Sequence, residues 1–307
     1  MVENFLTITQ QVGILFILII VGHIATRAKI LKENGIKVCT DIVLYLSTPC
    51  VIIKSFMREF DTSMLKQLGL SALAAVFVHG FAILAANLVF HDKNLSRKRV
   101  LRFGVAFSNA GFMCLPLQQA ILGDIGVFFG ATFVAIFNLF VWSYGVESMS
   151  NGQKALSVRR VVLNPGIISL LLGVLVFVLP ISLPQIIVSP IEHLAALNTP
   201  IPMLIIGYYL ANSNLIKAFK DIGSYLAILF RLIIIPLAVI GVLALFRADS
   251  ELIISSAIVA SAPVATMTTM FASKFEQDVE LSVNLVALST MLSMVTMPVI
   301  VALAQCI

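Results

Sequence analysis

Two apolar stretches of this chain combine helix-breaking residues with small polar side chains. The first reads FSNAGFMCLPLQQ, in which Asn109, Gly111 and Pro116 all disfavour a continuous helix. The second reads ASAPVATMTTM, in which Pro263 precedes several threonines. Because proline lacks an amide proton and clashes with the carbonyl group four residues earlier, we predict an interruption in each helix. The alternative is a proline kink that serves packing alone.

An interrupted helix can bind an anion in a way that a continuous helix cannot. The N-terminus of its second half has free N–H groups and roughly half a positive charge, which attract negative groups. The residues around the two breaks are therefore the first candidates for substrate binding: Asn109, Gly111, Phe112, Pro116, Pro263, Thr266 and Thr268. Three polar residues of other apolar stretches complete the set: Thr48, Asn138 and Thr199. Asn138 could instead bond a neighbouring helix, and the nearby Trp142 suits an anchor at a membrane interface.

Four ionisable residues lie within or at the ends of apolar stretches: Asp41, His79, Glu192 and Arg231. A charge at the centre of a bilayer is costly, so such residues are functional candidates. The fixed charge of Arg231 would attract a carboxylate or neutralise a buried acid, unless the long side chain reaches back to the interface. His79 would suit proton coupling, with a structural histidine as an equal alternative. For Asp41 and Glu192, capping or pairing near helix ends is the favoured interpretation.

The composition identifies the solvent of this chain as a lipid bilayer. Hydrophobic residues make up 60% of the chain and charged residues 11%, whereas a soluble domain is about half apolar and a quarter charged. The net charge of +5 comes from short basic clusters between apolar runs rather than from one basic face, so no nucleic-acid partner is expected. The four cysteines form no CxxC pair and are expected to be small buried hydrophobes, without a metal or cofactor.

Ten apolar runs are long enough to cross a bilayer as helices of about 20 residues. Numbered as predicted spans 1 to 10, they cover approximately residues 6–26, 36–57, 66–90, 100–122, 125–146, 161–180, 185–210, 219–246, 251–273 and 281–304. Glu3 and polar residues precede the first run in place of a basic segment. We therefore expect the first span to be retained rather than removed as a signal peptide.

The distribution of lysine and arginine orients these spans. Fifteen basic residues follow the odd-numbered spans: Arg27, Lys29, Lys32, Lys37, Lys93, Arg97, Lys98, Arg99, Arg102, Lys154, Arg159, Arg160, Lys217, Lys220 and Lys274. Four lie on the other side: Lys54, Arg58, Lys66 and Arg247. Because loops that remain in the cytoplasm are enriched in these residues, we predict ten helices with both termini outside the cell.

The two halves of the chain resemble each other. Span 2 contains LSTPCVII and span 7 contains LNTPIPML, and aligning Pro49 with Pro200 places Asp41 opposite Glu192. The same alignment brings the histidine of span 3 within one residue of the arginine of span 8. A half with an odd number of helices must restart from the opposite face, as in alternating-access transporters. We therefore predict inverted repeats at residues 1–146 and 161–307, a cytoplasmic linker at 147–160, and a crossing of spans 4 and 9 at the substrate.

Three stretches, FSNAGFMCLPL, LSTPCVIIKSF and FNLFVWSYG, resemble the auxin efflux carrier family, which includes bacterial malate permease-like proteins and plant auxin exporters. The resemblance covers essentially the whole chain, and its most specific part is the Asn-x-Gly-Phe…Leu-Pro stretch of span 4. The short central loop is similar to that of bacterial members. Many members have glycine where this chain has Cys114, a departure that bears on the detail of the pocket and not on the fold.

This resemblance implies an all-α membrane fold like that of bile-acid sodium symporters and sodium/proton antiporters. Spans 1, 2, 6 and 7 would form a scaffold domain, and spans 3–5 and 8–10 a transport domain with the crossing of spans 4 and 9 at its centre. It further implies an elevator-type movement of an organic anion and a homodimer formed through the scaffold. The crossing residues would carry the substrate, and Asn138 would belong to the supporting helix.

These features together predict a transporter of carboxylates such as malate or auxin-like acids in the cell membrane. It would work by uniport or with coupling to protons or sodium, without a cofactor. A cation/proton antiporter of the same fold is the alternative, although spans 4, 5, 9 and 10 have no acidic residue in mid-span. An enzyme is not expected, because the chain has no GxSxG or HExxH motif. A membrane sensor is disfavoured because no effector domain is evident.

Overall fold

The computed structural model describes residues 2–57, 62–150, 163, 165–179, 183–213 and 221–307. Over these residues the chain is helical, and extended backbone pairs only in one antiparallel bridge between Ser108 and Val264. Seven helical stretches among the described residues are long and apolar enough to cross a membrane, and three shorter apolar helices accompany them. One of the seven, Gln185–Ala211, is divided by a turn into two helices. The protein is therefore an all-α, multi-pass membrane protein. Outside the described residues lie most of the linker predicted at 147–160 and the basic residues Arg58, Lys154, Arg159, Arg160, Lys217 and Lys220.

The described helices are numbered here in chain order. They are α1 (Val2–Arg27), α2 (Glu33–Phe56), α3 (Thr62–Val89), α4 (Leu95–Ala106), α5 (Ala110–Leu122), α6 (Asp124–Ser150), α7 (Pro165–Val178), α8 (Gln185–Ala196), α9 (Pro200–Ala211), α10 (Ile222–Leu245), α11 (Ser250–Ser261), α12 (Met267–Lys274) and α13 (Val279–Ala304). Predicted span 4 corresponds to α4 and α5, span 7 to α8 and α9, and span 9 to α11 and α12.

Apolar residues cover both the inner and the outer faces of these helices. In α1, Ile19 is buried, whereas Ile17 is 62% exposed and Ile24 is 59% exposed. A soluble protein rarely exposes so large an apolar surface. Lipid tails are as apolar as a protein core, so close packing, rather than hydrophobicity, decides which face turns inward.

Glycine provides that close packing where α1 crosses α9. A Cβ atom added at Gly207 would lie 2.6 Å from the amide nitrogen of His23 and 2.8 Å from the carbonyl carbon of Gly22. A Cβ atom added at Gly22 would in turn lie 2.7 Å from Cα of Leu204. The two backbones therefore touch at a point that only glycine permits, which is the usual way for membrane helices to associate.

Three prolines widen their helices without breaking them. A wide, π-helical turn ends two residues before each of Pro49, Pro116 and Pro236; the turns are Val43–Ser47, Ala110–Cys114 and Phe230–Ile234. Proline offers no N–H to the carbonyl four residues earlier and clashes with it, and that carbonyl belongs to the wide turn in each case. The break that sequence predicts around Asn109 to Pro116 therefore lies earlier, at residues 107–109, and Pro116 continues the helix.

Helix contacts follow the same scheme in the two halves. Helix α1 packs on α9, and in the same way α7 packs on the Thr48–Phe56 part of α2. Helix α3 packs on α4, and in the same way α10 packs on α11. Likewise α5 packs on α6 as α12 packs on α13, while α4 also contacts α13 and α11 also contacts α6. The two interrupted helices, α4–α5 and α11–α12, are thus held between α6 and α13.

Candidate functional site

The breaks after α4 and α11 cross each other and exchange backbone hydrogen bonds. The amide of Asn109 donates to the carbonyl of Pro263 (2.8 Å), and the amide of Ala265 donates to the carbonyl of Phe107 (3.0 Å). The amide of Val264 donates to Oγ of Ser289 on α13 (3.1 Å). These bonds pair backbone groups that an interrupted helix would otherwise leave without partners inside the membrane.

A cavity of ≈ 90 Å³ lies beside this crossing, and we call it the crossover cavity. Its polar lining consists of Thr48, Asn109, Asn138 and Thr266, and its aromatic lining of Tyr45, Phe112, Phe137 and Trp142. Helices α5 and α12 both begin at its wall, since Gly111 and Met267 of their first turns also line it. None of the described residues that line this cavity carries a charged side chain.

Two lining side chains carry buried N–H groups that have no acceptor among the described residues. These groups are Nδ2 of Asn109 and Nε1 of Trp142. By contrast, Nδ2 of Asn138 donates to the carbonyl of Val134 (2.8 Å). The N-termini of α5 and α12 add roughly half a positive charge each. Some of their first-turn amides already have acceptors, since Ala110 donates to the carbonyl of Ser108 and Thr268 to that of Ala265. The cavity therefore combines hydrogen-bond donors with two positive helix ends, an arrangement that suits an anionic acceptor.

The wide turns aim aromatic side chains at this cavity. Tyr45 belongs to the turn before Pro49, and Phe112 to the turn before Pro116. Trp142 belongs to a fourth wide turn, Val141–Gly145, which no proline follows. Inserting one residue into a helical turn rotates the side chains that follow, and such turns are frequent at functional sites.

Arg231 lies at the opposite ends of the half-helices, away from the lining of the crossover cavity. Its guanidinium group is buried, with 1% of the residue exposed. Nη1 donates to the carbonyl of Val105 (3.0 Å) and Nη2 to the carbonyl of Ala260 (2.6 Å). These carbonyls belong to the last turns of α4 and α11. Arg231 therefore joins the C-termini of the two half-helices, and its position does not favour a direct contact with substrate.

His79 is packed inside an aromatic cluster. Its ring centroid lies 4.8 Å from that of Phe133, 5.3 Å from that of Phe140 and 5.9 Å from that of Phe137. Nδ1 lies 2.8 Å from the carbonyl of Ala75 and must be the donor, because a carbonyl only accepts. Such contacts are typical of a structural histidine, the alternative to proton coupling.

Two further cavities contain other residues singled out in the sequence. The basic-face cavity, of ≈ 430 Å³, lies at the helix ends that bear the basic clusters; its lining includes Glu33, Lys37, Asp41, Tyr209, Met270 and Ser273. The opposite-face cavity, of ≈ 230 Å³, includes Lys54, Pro116, Asp124, Glu192, Asn198 and Thr199. Glu192 lies 3.8 Å from Lys54, as expected for a pairing role. Thr268 is fully buried within α12, and Pro263 contributes its carbonyl to the crossing.

The chain matches the family model described as "Membrane transport protein" over residues 7–301. It belongs to that family. This is the auxin efflux carrier family that the sequence motifs resemble, and its members are transporters rather than enzymes. The carrier is 24% identical to an uncharacterized transporter of Methanothermobacter thermautotrophicus over 96% of its own length and 97% of the relative's. It is 23% identical to an uncharacterized transporter of Methanocaldococcus jannaschii over 92% and 94% of the two chains.

For one residue of this carrier, the spacing in the sequence indicates a place in the cavity rather than at the membrane interface. Trp142, expected at the membrane interface, lines the crossover cavity instead. It follows Asn138 by four residues and Val134 by eight, a spacing that places all three on one helical face. Met270 and Phe137 had no such signal, because each is one apolar residue among many in its span.

Proposed function

We propose that this carrier moves small organic anions across the cell membrane and binds them in the crossover cavity. The observation that carries the proposal is the pair of buried N–H groups of Asn109 and Trp142, which lack an acceptor among the described residues and flank two half-helix N-termini. A carboxylate would supply both the acceptor oxygens and the negative charge. A hydrogen bond to a charged group is worth about 1.5–3 kcal/mol, enough for selective binding.

The lining further favours one class of carboxylate. Four aromatic side chains, Tyr45, Phe112, Phe137 and Trp142, offer an apolar surface to the body of the substrate. No described lining residue is basic, so a second carboxylate would lose its water without gaining a partner, at a cost of several kcal/mol. The proposed substrate is therefore a monocarboxylate with an apolar or aromatic body, as in auxin-like acids, in preference to malate.

The proposed architecture is ten membrane helices in two inverted repeats. Seven long and three shorter apolar helices among the described residues support the number. The matching helix contacts of the two halves support the repeat. With the basic clusters in the cytoplasm, the basic face is the inner face of the cell membrane and both termini lie outside.

An elevator movement is the proposed mechanism, with α1, α2 and α7–α9 as the scaffold and α3–α6 and α10–α13 as the moving body. The crossover cavity lies between the two sets: Thr48 and Gly166 come from the scaffold, and Asn109, Asn138 and Thr266 from the moving body. A shift of one set past the other would change the face to which the cavity opens. A homodimer through the scaffold is part of this proposal, and native mass measurement in detergent tests it.

The cation/proton antiporter remains the second candidate of this fold, and the lining argues against it. Such an exchanger needs an acidic side chain at the crossing to bind its cations. The described lining of the crossover cavity has none, and Asp41 and Glu192 lie on the two other cavities. Whether protons or sodium drive transport is tested by imposing each gradient on proteoliposomes.

The experiment is an uptake and thermal-shift measurement on the purified carrier with indole-3-acetate, benzoate and malate. We expect the two aromatic monocarboxylates to be taken up and to stabilise the protein more than malate does. Asn109→Asp replaces the N–H donor by a carboxylate and should abolish both effects, because it repels the anion. The matched control is Asn94→Asp, at a helix N-cap where aspartate is equally suitable. If Asn109→Asp binds these monocarboxylates as tightly as wild type does, the binding site does not include Asn109 and the proposal is wrong.

A further inference from the structure

The guanidinium group of Arg231 lies where two helix C-termini converge. Val105 is the penultimate residue of α4, and Ala260 is the penultimate residue of α11. Each helix C-terminus carries roughly half a negative charge, so two of them together present about one negative charge. One guanidinium group supplies one positive charge. The two half-helices and Arg231 therefore form a charge-balanced unit inside the membrane.

The balance does not come from an acidic side chain. Among the described residues, Lys37 pairs with Glu33, Lys54 with Glu192, and Arg97 with Asp92 and Asp221, and Arg231 is in none of these ion pairs. An unpaired cation at this depth would be strongly unfavourable. The negative ends of two helices thus balance the charge of Arg231 through their backbone carbonyls. A metal cation at the same place would be bound by the same carbonyl oxygens.

In transporters with broken helices, the C-terminal ends and unwound carbonyls of the half-helices coordinate the coupling sodium ion or proton. We infer that the carbonyls of Val105 and Ala260 form a cation site in this carrier and that its permanent occupant is the guanidinium group of Arg231. The carrier then needs no metal cation at the crossing, and transport does not depend on sodium. The part of this inference that concerns transport rests on the proposed function, whereas the occupancy of the site does not.

The fold explains why the guanidinium group reaches this site. Arg231 belongs to the wide turn Phe230–Ile234 of α10, which Pro236 induces. Helix α10 packs against both α4 and α11, so one planar side chain can donate to both carbonyls at once. The fork geometry of arginine suits two acceptors, whereas lysine would present a single ammonium group.

The first test removes the occupant and offers a replacement. In Arg231→Ala, the melting temperature should fall, and low millimolar guanidinium chloride should raise it again, with sodium or potassium chloride as weaker substitutes. Wild type and the matched control Arg247→Ala, which removes an exposed arginine two residues after the end of α10, should show no such rise. Arg231→Lys should keep part of the stability, because a cation remains. This measurement needs no substrate, so it stands even if the proposed substrates are wrong.

The second test measures ion dependence in wild type, and it does not require any variant to fold. Uptake of indole-3-acetate into proteoliposomes of wild type should be equal within about twofold in sodium, potassium or N-methylglucamine chloride. A tenfold stimulation of wild type by sodium would overturn the inference. So would a folded Arg231→Ala protein whose stability responds to none of the three cations.

Discussion

Oγ1 of Thr48 donates a hydrogen bond to Oδ1 of Asn198 across 2.9 Å and so joins α2 to the turn between α8 and α9. The two residues belong to the related motifs LSTP and LNTP, within two positions of Pro49 and Pro200. Thr48 also lines the crossover cavity, and Asn198 lines the opposite-face cavity. One buried hydrogen bond between the two halves of the chain therefore lies between the two cavities.

Thr48→Val should destabilise the carrier, because valine keeps the shape of threonine but leaves Oδ1 of Asn198 without its donor. An unsatisfied buried acceptor costs about 1–3 kcal/mol. The melting temperature in detergent measures the effect. Thr48→Ser is the control, since it retains the hydroxyl group and should lose much less stability. Equal melting temperatures for the valine and serine variants would contradict the role of the hydrogen bond.

Trp142→Phe should weaken anion binding by about tenfold or more, because it removes one N–H donor while keeping an aromatic ring in the cavity. The measurement is the dissociation constant for indole-3-acetate. Tyr225→Phe removes a donor from an exposed aromatic side chain of α10 and should leave this constant unchanged. If both variants bind as wild type does, Nε1 of Trp142 is not a ligand of the carboxylate.

Gly207→Ala should destabilise the crossing of α1 and α9, because the new methyl group meets backbone atoms of Ile19, Gly22 and His23. Overpacking of a core typically costs about 1–3 kcal/mol, and backbone cannot move aside as a flexible side chain can. Gly241→Ala is the matched control, with no atom within 4 Å of its Cβ position. Its melting temperature should equal or exceed that of wild type, since alanine favours a helix. A Gly207→Ala protein as stable as this control would argue against the close approach.

Asp221→Asn should destabilise the carrier at neutral pH and become harmless in acid. Partial burial raises the pKa of Asp221, but hydrogen bonds from Ser224 and Arg97 outweigh it and hold the pKa below its ordinary value. The ionised form therefore stabilises the fold above the ordinary pKa of about 4, and this stability is lost as the pH falls through the lowered value. Melting temperatures from pH 7 downward, about one unit at a time, should converge for wild type and variant. A difference in melting temperature that stays constant with pH would refute this role. So would the same convergence in the exposed control Glu251→Gln.

Hydropathy predicted where the helices lie because a bilayer demands about 20 apolar residues for each crossing. The last predicted span, 281–304, differs by two residues from the helix Val279–Ala304. The break in span 4 was harder to place. Pro116 suggested it, but a helix can absorb proline in a wide turn, and the break lies where Ser108 meets Val264. That pairing joins residues far apart in the chain, so local propensity did not reveal it.

The candidate site shows the same limit. Asn109, Gly111 and Thr266 were visible beside helix breakers, and the structure brings them to one cavity. The partners of Arg231 were not visible, because they are backbone carbonyls 126 and 29 positions away, and any residue type supplies such a group. Sequence can therefore show that a buried charge needs a partner without showing which partner it has.

Met270 lines both the crossover cavity and the basic-face cavity. Methionine is unbranched and has three rotatable side-chain bonds, so it adopts new rotamers readily. Rotamer changes of accessible side chains take nanoseconds or less, whereas movements of whole domains take microseconds to milliseconds. Under the proposed elevator mechanism, a ligand would thus exchange with the basic face at the rate of a side-chain rotation, but with the opposite face at the rate of a domain movement. The two directions of the cycle should have different rate-limiting steps, and the carrier should reach binding equilibrium with one compartment long before the other.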